Sequence, residues 1–243
     1  MTQLIAMEPI ELTEQDSAGA GTDLVAGRLA TYGWAYVGSV PRGFDYVGFL
    51  QQFGDLLPQY RGEKVWDLKP EPDMDDVYHS NNTRALMPHT EGYEQPGLPP
   101  RYVALWCVTP STGPGGETTL ADGYEMLGGL TERDRELLRE RQYEWHCSEG
   151  LARQGVHLSN SHPVLESYAG VDVLRYSYNN VECVPDGLLI PYLEAGKEFF
   201  DREHSSVLMA QDALLIWDNW RMMHSRNAFT DRGRHFKRVL IGA

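Results

Sequence analysis

Residues 213–229 read ALLIWDNWRMMHSRNAF, and this stretch decides the fold class. Its first part, ALLIWDN, is an apolar run that ends in an Asp-Asn pair, which is typical of a turn. A short apolar run bounded by turn residues indicates a buried strand. His224 follows this turn within a few residues. We therefore predict that His224 lies at a strand end and points into the mouth of a β-structure.

Similar short runs recur outward from this stretch. RYVALWCVTP at 101–110 and FKRVLIG at 236–242 predict two further buried strands. Additional strands are predicted at 34–40, 76–80, 143–147, 162–168 and 171–178, after a loose lead-in at 1–16 that contains a short strand. Helices are predicted at 17–33, 44–54, 122–142 and 187–204. Many short strands with helices early and in inserts favour a β-sandwich or barrel flanked by helices.

Composition narrows the class of protein. The 243 residues are 42% hydrophobic and carry a formal net charge of -14, which predicts one globular domain over residues 1–243. An acidic chain is a poor partner for nucleic acid or an anionic membrane. No secretory signal, no membrane-spanning stretch and no paired cysteine spacing is evident, so we expect a cytoplasmic protein with a small-molecule partner and leave its oligomeric state open.

A candidate metal site begins in MPHTEGYEQPG, residues 87–97, where His89 and Glu91 stand two apart. On an extended segment such residues point to the same side, although a plain surface loop also explains this pair. His224 is the best-placed third ligand. Two histidines and one carboxylate leave open positions of the kind that non-haem iron(II) uses.

Arg238 lies inside the apolar run FKRVLIG, downstream of Arg226 and Arg234. A buried arginine is costly unless it meets an anion. The residues alone leave two explanations open. Arg238 either pairs with a carboxylate of the fold or clamps a bound dicarboxylic acid.

Three separate segments of the chain, taken in order, resemble the motifs of a known family. They are PHTEGY at 88–93, GPGGETTLADG at 113–123 and WDNWRMMHSRNAFTDRGRHFKRVL at 217–240. Together they resemble the taurine dioxygenase and clavaminate synthase-like superfamily of 2-oxoglutarate-dependent oxygenases. The resemblance implies a mainly β protein with flanking helices, folded as a double-stranded β-helix, a cupin-like jelly roll. It also implies Fe(II), 2-oxoglutarate and O2.

The resemblance assigns roles residue by residue. His89, Glu91 and His224 match the iron ligands, and Thr118 matches a threonine that supports the distal carboxylate of 2-oxoglutarate. Arg238 matches the arginine that holds this carboxylate in the clavaminate synthase-like branch, and Arg234 is close to the position of the taurine dioxygenase branch. The glutamate ligand belongs more to the first branch, so Arg238 is favoured.

The implied reaction is oxidation of an unactivated C–H bond by hydroxylation, with cyclisation or desaturation as variants. Glu91 occupies the place that halogenating relatives leave small, which disfavours halogenation. Enzymes of the clavaminate synthase-like branch often act on free amino acids or their derivatives. The resemblance therefore implies that the substrate is a free amino acid or a small amino-acid derivative from a specialised biosynthetic pathway. Glu94 is a candidate for the substrate ammonium group, and Arg226 or Arg234 for a carboxylate. The full set of substrate candidates is Asn81, Asn82, Tyr93, Glu94, Arg175, Tyr178 and Arg226.

The sequence departs from the family pattern at two positions, so the resemblance does not define the substrate pocket. Gln211 replaces the usual glycine of a Gly-Asp pair, and Trp220 stands where a smaller or basic residue is common.

Two other functions are also compatible with the sequence. One is a jelly-roll metalloenzyme that uses zinc or manganese without redox chemistry, which leaves Arg238 and Thr118 unexplained. The other is a non-catalytic binding protein on the same fold, which would tolerate loss of a metal ligand.

Overall fold

The computed structural model describes residues 8–14, 16 and 19–243. Within them the chain forms fourteen strands, six α-helices and two short 3₁₀ turns at Gln51–Phe53 and Pro72–Met74. The strands are β1 (Ile10–Glu11), β2 (Trp34–Ser39), β3 (Leu56–Leu57), β4 (Val65–Leu68), β5 (Tyr102–Thr109), β6 (Thr118–Asp122), β7 (Tyr143–His146), β8 (Ser159–His162), β9 (Leu165–Tyr168), β10 (Val171–Leu174), β11 (Ser205–Val207), β12 (Leu214–Asp218), β13 (Met222–Arg226) and β14 (His235–Ile241). The helices are α1 (Ala20–Tyr32), α2 (Tyr46–Leu50), α3 (Gly123–Gly128), α4 (Glu132–Glu140), α5 (Glu149–Arg153) and α6 (Leu189–Glu203).

The major sheet runs in the order β1-β2-β12-β5-β14-β3, and β4 also pairs with β14. Only β1 and β2 pair in parallel; the other neighbours in this sheet are antiparallel. The centre of the sheet is β5, which pairs with β12 on one side and with β14 on the other. Its buried run from Val103 to Cys107 explains why the sequence is apolar at consecutive positions.

The minor sheet contains β11, β6 and β13, in that order. Beyond β13 the chain at His89 continues the pairing, because the His89 amide donates to His224 O (2.9 Å) and the His224 amide donates to His89 O (2.8 Å). On the far side the Thr90 amide donates to Tyr176 O at 2.8 Å. Backbone pairing therefore places the first and last metal-ligand candidates directly side by side.

The two sheets face each other across an apolar interior. Alternation along β12 shows this directly, since Leu215 and Trp217 point inward while Leu214 and Ile216 pack under α1 and α2. The outer face of the minor sheet is covered by α3, α4 and α6. Two facing sheets with helices outside are a double-stranded β-helix, so the predicted jelly roll is confirmed.

Local side-chain bonds explain where the predicted elements were wrong. Residues 76–80 form turns instead of a strand, because the Asn82 side chain donates to Val77 O (2.6 Å) and the Asn81 amide donates to His79 Nδ1 (3.0 Å). The predicted helix at 122–142 is two helices, since Gly128 and Gly129 end α3 and Thr131 caps α4.

Other predicted elements are present with different ends, and the strand predicted at 162–168 covers the end of β8 and all of β9. The strand predicted at 171–178 ends at Leu174, and the helix predicted at 187–204 is α6. The short strand of the lead-in is β1, while residues 1–7, 15, 17 and 18 of the predicted lead-in and first helix lie outside the described part of the chain. None of the described helices has the length and apolar character that spanning a membrane requires.

Candidate active site

Three side chains converge where the minor sheet borders the interior. One ligand atom each from His89, Glu91 and His224 lies within 4.8 Å of the others. His224 Nε2 is 3.8 Å from Glu91 Oε2, and the two imidazole rings have centroids 4.2 Å apart. His224 and Glu91 are buried, and His89 is half-buried. The predicted set of ligands is therefore brought together in space.

The protonation of both rings suits metal binding. His89 Nδ1 lies 2.8 Å from Met87 O. A carbonyl oxygen accepts a hydrogen bond only from a protonated nitrogen, so Nδ1 carries the proton of the neutral ring and Nε2 keeps its lone pair for a metal. Burial lowers the pKa of His89, and burial together with the neighbouring His89 lowers that of His224 well below its usual value. Both imidazoles are thus neutral near pH 7.

Asn219 holds the carboxylate ligand in place through the backbone. Its Oδ1 accepts from the Glu91 amide at 2.7 Å, and its Nδ2 donates to Glu91 O at 2.9 Å and to Pro100 O at 3.0 Å. Asn219 follows β12 directly, in the Asp-Asn turn. This turn therefore joins the strand before His224 to the residue that supplies the carboxylate.

Two cavities meet at the triad. The first, which we call the arginine cavity, measures about 440 Å³. The second, the tyrosine cavity, measures about 510 Å³. Ser80, Leu86, His89, Glu91 and Arg238 line both. The arginine cavity adds Leu68, Leu105, Thr118, Trp217, His224, Ser225, Arg226 and Arg234. The tyrosine cavity adds Tyr60, Trp66, Tyr78, His79, Tyr93, Glu94, Ser148 and Leu151.

Arg238 already has a carboxylate partner inside the fold. Its Nη1 lies 2.8 Å from Glu91 Oε2, and its Nε donates to Gln59 Oε1 at 2.9 Å. Gln59 in turn donates through Nε2 to Arg238 O at 3.1 Å. Of the two explanations that the sequence left open for Arg238, the structure shows the internal carboxylate pair.

Arg234 differs from Arg238, because no carboxylate within the described residues pairs with it. Its guanidinium lies 3.7 Å from the Phe236 ring centroid and 5.0 Å from that of Phe229, and Nη2 donates to Gly116 O at 3.3 Å. Its Nε has no acceptor in the described part of the chain. Burial lowers the pKa of Arg234 to about 10. A buried cation without a counter-ion marks a place for an anion.

The guanidinium of Arg226 is hydrogen-bonded to the loop that lines both cavities. Its Nη1 donates to Ser80 O (2.5 Å), and its Nη2 donates to Arg84 O (2.6 Å) and to Asn82 Oδ1 (3.2 Å). Burial, and then the neighbouring Arg234, lowers the pKa of Arg226 to about 9. Arg226 thus shapes the cavity wall and adds positive charge beside Arg234.

Glu94 is the acidic group of the tyrosine cavity. It is 2% exposed, and Tyr60 donates to its Oε1 at 2.9 Å. Burial raises the pKa of Glu94 to about 7. Arg238 also lines this cavity, so the cavity presents a carboxyl group and a guanidinium cation.

The predicted substrate residues separate into two groups. Tyr93 and Glu94 line the tyrosine cavity, and Arg226 lines the arginine cavity. Arg175 lines neither and lies 2.7 Å from both Glu166 and Gly97 O, which accounts for its burial. The others that lie away from both cavities are Asn81, Asn82 and Tyr178. Their predicted substrate contacts have no support in this geometry.

Sequence reasoning missed four residues that shape the site: Gln59, Tyr60, Trp217 and Asn219. The Asp-Asn turn was a signal for Asn219 because such residues bond to backbone groups. Gln59 and Tyr60 lie in an irregular stretch, and nothing local connects them to Arg238 or Glu94. Trp217 reads as an ordinary core residue of an apolar strand.

The fold and the site together define a class. A jelly roll with two histidines and one carboxylate on one side of a cavity is the architecture of mononuclear non-haem iron oxygenases. The model of the family described as "Taurine catabolism dioxygenase TauD, TfdA family" matches residues 42–240. The chain belongs to this family and is an iron(II)- and 2-oxoglutarate-dependent dioxygenase.

Individual relatives are distant in sequence. The 3-((Z)-2-isocyanoethenyl)-1H-indole synthase of Fischerella ambigua (strain UTEX 1903) is 22% identical over 88% of this chain and 85% of its own length. An asparagine oxygenase with Fe(II), 2S,3S-3-hydroxyasparagine and succinate superposes with a TM-score of 0.74 at 19% identity, over 91% of this chain and 79% of that one. The non-heme iron oxygenase OrfP with Fe and alpha-ketoglutaric acid superposes with a TM-score of 0.70 at 20% identity, over 94% and 83%.

Proposed function

We propose that this chain oxidises an unactivated C–H bond of a free amino acid or a small amino-acid derivative, hydroxylation being the main outcome. The observation that carries the proposal is the junction of the two cavities at His89, Glu91 and His224. One cavity offers the Arg234 guanidinium, which has no carboxylate partner within the described residues, and the other offers the Glu94 carboxyl group and the Arg238 guanidinium. Two different small acids therefore have separate places beside one metal site.

The residues present fit iron(II). Two neutral imidazoles and one carboxylate form the donor set that this ion uses with open positions. When bound, the ion supplies the oxidising chemistry of the reaction, and the chain supplies positions and a dry cavity. Asn219 holds the Glu91 backbone, and Met87 O orients the His89 ring. Arg238 Nη1 lies 2.8 Å from Glu91 Oε2, the oxygen that also lies 3.8 Å from His224 Nε2, so Arg238 holds this carboxylate beside His224.

For 2-oxoglutarate we assign the distal carboxylate to Arg234 and Thr118 instead of Arg238. Arg234 is 3% exposed, pairs with no carboxylate in the described part of the chain, and lines the same cavity as Thr118. Thr118 pairs with Arg226 across β6 and β13, so its side chain lies on the interior face together with His224. A guanidinium beside a hydroxyl is a common arrangement for binding a carboxylate. Arg234, which is close to the position used in the taurine dioxygenase branch, thus takes the role that the sequence analysis favoured for Arg238.

The substrate is placed in the tyrosine cavity. Glu94 faces a bound ammonium group, and the Arg238 guanidinium still has N–H groups that its two internal partners leave unused. Tyr60, Tyr78, Tyr93 and Trp66 form aromatic walls around these two charged groups. This arrangement supports a zwitterionic amino acid or a close derivative. The structural relatives in complex with 2S,3S-3-hydroxyasparagine and with (3S)-hydroxy-L-Arg support the same substrate class.

The proposed function has a direct test. Anaerobic addition of iron(II) and 2-oxoglutarate to the protein is expected to produce a weak visible charge-transfer band. Free amino acids and their N- or C-blocked derivatives would then be screened for oxygen-dependent formation of succinate. Mass spectrometry separates hydroxylation, which adds one oxygen atom, from desaturation or cyclisation, which removes two hydrogens. Absence of the band, or succinate formation that no amino acid stimulates, would count against the proposal.

Glu94 predicts an inverse dependence of stability on pH. Its pKa is raised from 4.5 to about 7, so between these values the folded chain holds a proton that the unfolded chain releases. The free energy of unfolding is therefore lowered as pH rises through this window. In chelator-treated protein, Glu94→Gln is expected to gain about 2–3 kcal/mol over the wild type between pH 5 and pH 8.

The measurement is urea unfolding of both proteins at several pH values. Glutamine keeps an acceptor for the Tyr60 hydroxyl, so the comparison isolates the charge. Glu132→Gln is the control, since the Glu132 side chain is 68% exposed, and it is expected to follow the wild-type profile. Parallel profiles for Glu94→Gln and the wild type would show that Glu94 does not hold this proton.

A further inference from the structure

Trp217 carries a buried hydrogen-bond donor that the fold does not use. Its side chain is 1% exposed, and its indole Nε1 has no acceptor within the described residues. Two other buried tryptophans show the usual arrangement. Trp145 donates to His162 O at 3.1 Å, and Trp220 donates to Pro99 O at 3.0 Å. Buried N–H groups are nearly always paired, so the partner of Trp217 has to come from elsewhere.

The position of Trp217 indicates what that partner is. It lines the arginine cavity, with its ring centroid 4.8 Å from that of His224. Arg234, in the same cavity, also has a buried Nε for which the described residues offer no acceptor. Thr118 completes the polar side of the cavity, and the remaining wall includes Leu68 and Leu105. Unused donors gathered in one cavity call for a ligand rich in acceptors and poor in donors.

We propose that the Trp217 indole N–H donates a hydrogen bond to an oxygen of 2-oxoglutarate, as a third donor beside Arg234 and Thr118. The inference rests on the proposed placement of 2-oxoglutarate in the arginine cavity. The indole is a donor only, and it is rigid once its strand is packed. It therefore selects an acceptor at a fixed point without adding charge beside the metal ligands.

The alternative is that Trp217 is an ordinary core residue. It does pack in the interior of the sandwich with Leu215 and Phe236, and that packing alone requires an aromatic ring and no N–H group. The two roles differ in what phenylalanine does at this position. A core role tolerates the loss of the indole nitrogen, whereas a ligand contact does not.

The test compares Trp217→Phe with Trp220→Phe, which also removes a buried indole but from outside both cavities. The dissociation constant of 2-oxoglutarate is measured by calorimetry with metal-saturated, oxygen-free protein. Trp217→Phe is expected to weaken binding about 10-fold, the value of one hydrogen bond. Trp220→Phe is expected to leave the dissociation constant close to that of the wild type.

A second measurement needs no substitution. In the ¹⁵N-labelled wild type loaded with zinc, the indole N–H of Trp217 is assigned by triple-resonance NMR, and its exchange with solvent is followed. Adding 2-oxoglutarate is expected to shift this signal and slow its exchange, while the Trp220 signal stays unchanged. If 2-oxoglutarate binds but the Trp217 signal and the affinity of Trp217→Phe do not change, the inference is wrong. If the wild type binds no 2-oxoglutarate, the proposed function fails and the inference fails with it.

Discussion

Replacing His224 with alanine is expected to abolish oxygenase activity and to weaken metal binding by at least about 100-fold. Substitutions that only disturb the partner of a metal ligand already cost about 10- to 100-fold, so removal of a ligand costs more. His224 supplies one of three donors, and its ring lies against His89 and Trp217. Equilibrium dialysis with iron(II) or with zinc gives the affinity, and succinate formation gives the activity.

His235→Ala is the control for this experiment. His235 lies on β14, and its Nε2 bonds to Asp67 at the surface, away from both cavities. Removing it takes away one imidazole without touching the triad, and both metal affinity and activity should stay near wild type. Stoichiometric, tight metal binding by His224→Ala would show that the metal is held elsewhere.

Replacing Arg234 with leucine is expected to weaken 2-oxoglutarate binding by about 2–5 kcal/mol, the cost of losing one partner of a buried charge pair. The same change should stabilise the ligand-free protein, because it removes a buried cation that has no carboxylate partner in the described structure. Calorimetry measures the affinity. Thermal unfolding with and without 2-oxoglutarate measures the stability, and the ligand should raise the melting temperature of the wild type only.

Arg238→Leu is the matched variant, with the opposite expected profile. It leaves the Glu91 carboxylate without its partner at 2.8 Å, so the protein should lose stability and hold the metal less tightly. At saturating metal its affinity for 2-oxoglutarate should remain largely unchanged. If Arg238→Leu loses 2-oxoglutarate and Arg234→Leu keeps it, the assignment returns to Arg238, as the resemblance to the clavaminate synthase-like branch implied.

Strand prediction worked where burial on both faces left a clear pattern. The runs that became β5, β12 and β14 are apolar at nearly consecutive positions because helices cover one face and the facing sheet covers the other. The prediction of a strand at 76–80 was wrong. There the decisive bonds come from the side chains of His79 and Asn82, which hold turns that periodicity does not report.

The residues of the candidate site also differ in how well the sequence indicated them. His89, Glu91 and His224 were predicted as metal ligands because three segments in order resemble the family, and backbone pairing places two of these residues side by side. Among the substrate candidates, Asn81 was chosen because it precedes the metal motif, whereas Arg175 and Tyr178 came from the predicted strand at 171–178. Such local choices are a poor guide to cavity walls, because a cavity is lined by residues from distant parts of the chain, as Tyr60 and Ser148 show.

By itself, the sequence predicted the jelly roll, the three candidate metal ligands and the presence of buried arginines near the carboxyl end. Only the tertiary structure showed which of these arginines has a carboxylate partner within the described residues. Arg238 meets Glu91 and Gln59 from distant parts of the chain, whereas Arg234 meets aromatic rings. The physical reason is that the cost of a buried charge depends on its neighbours in space, and these neighbours are set by how the sheets face each other.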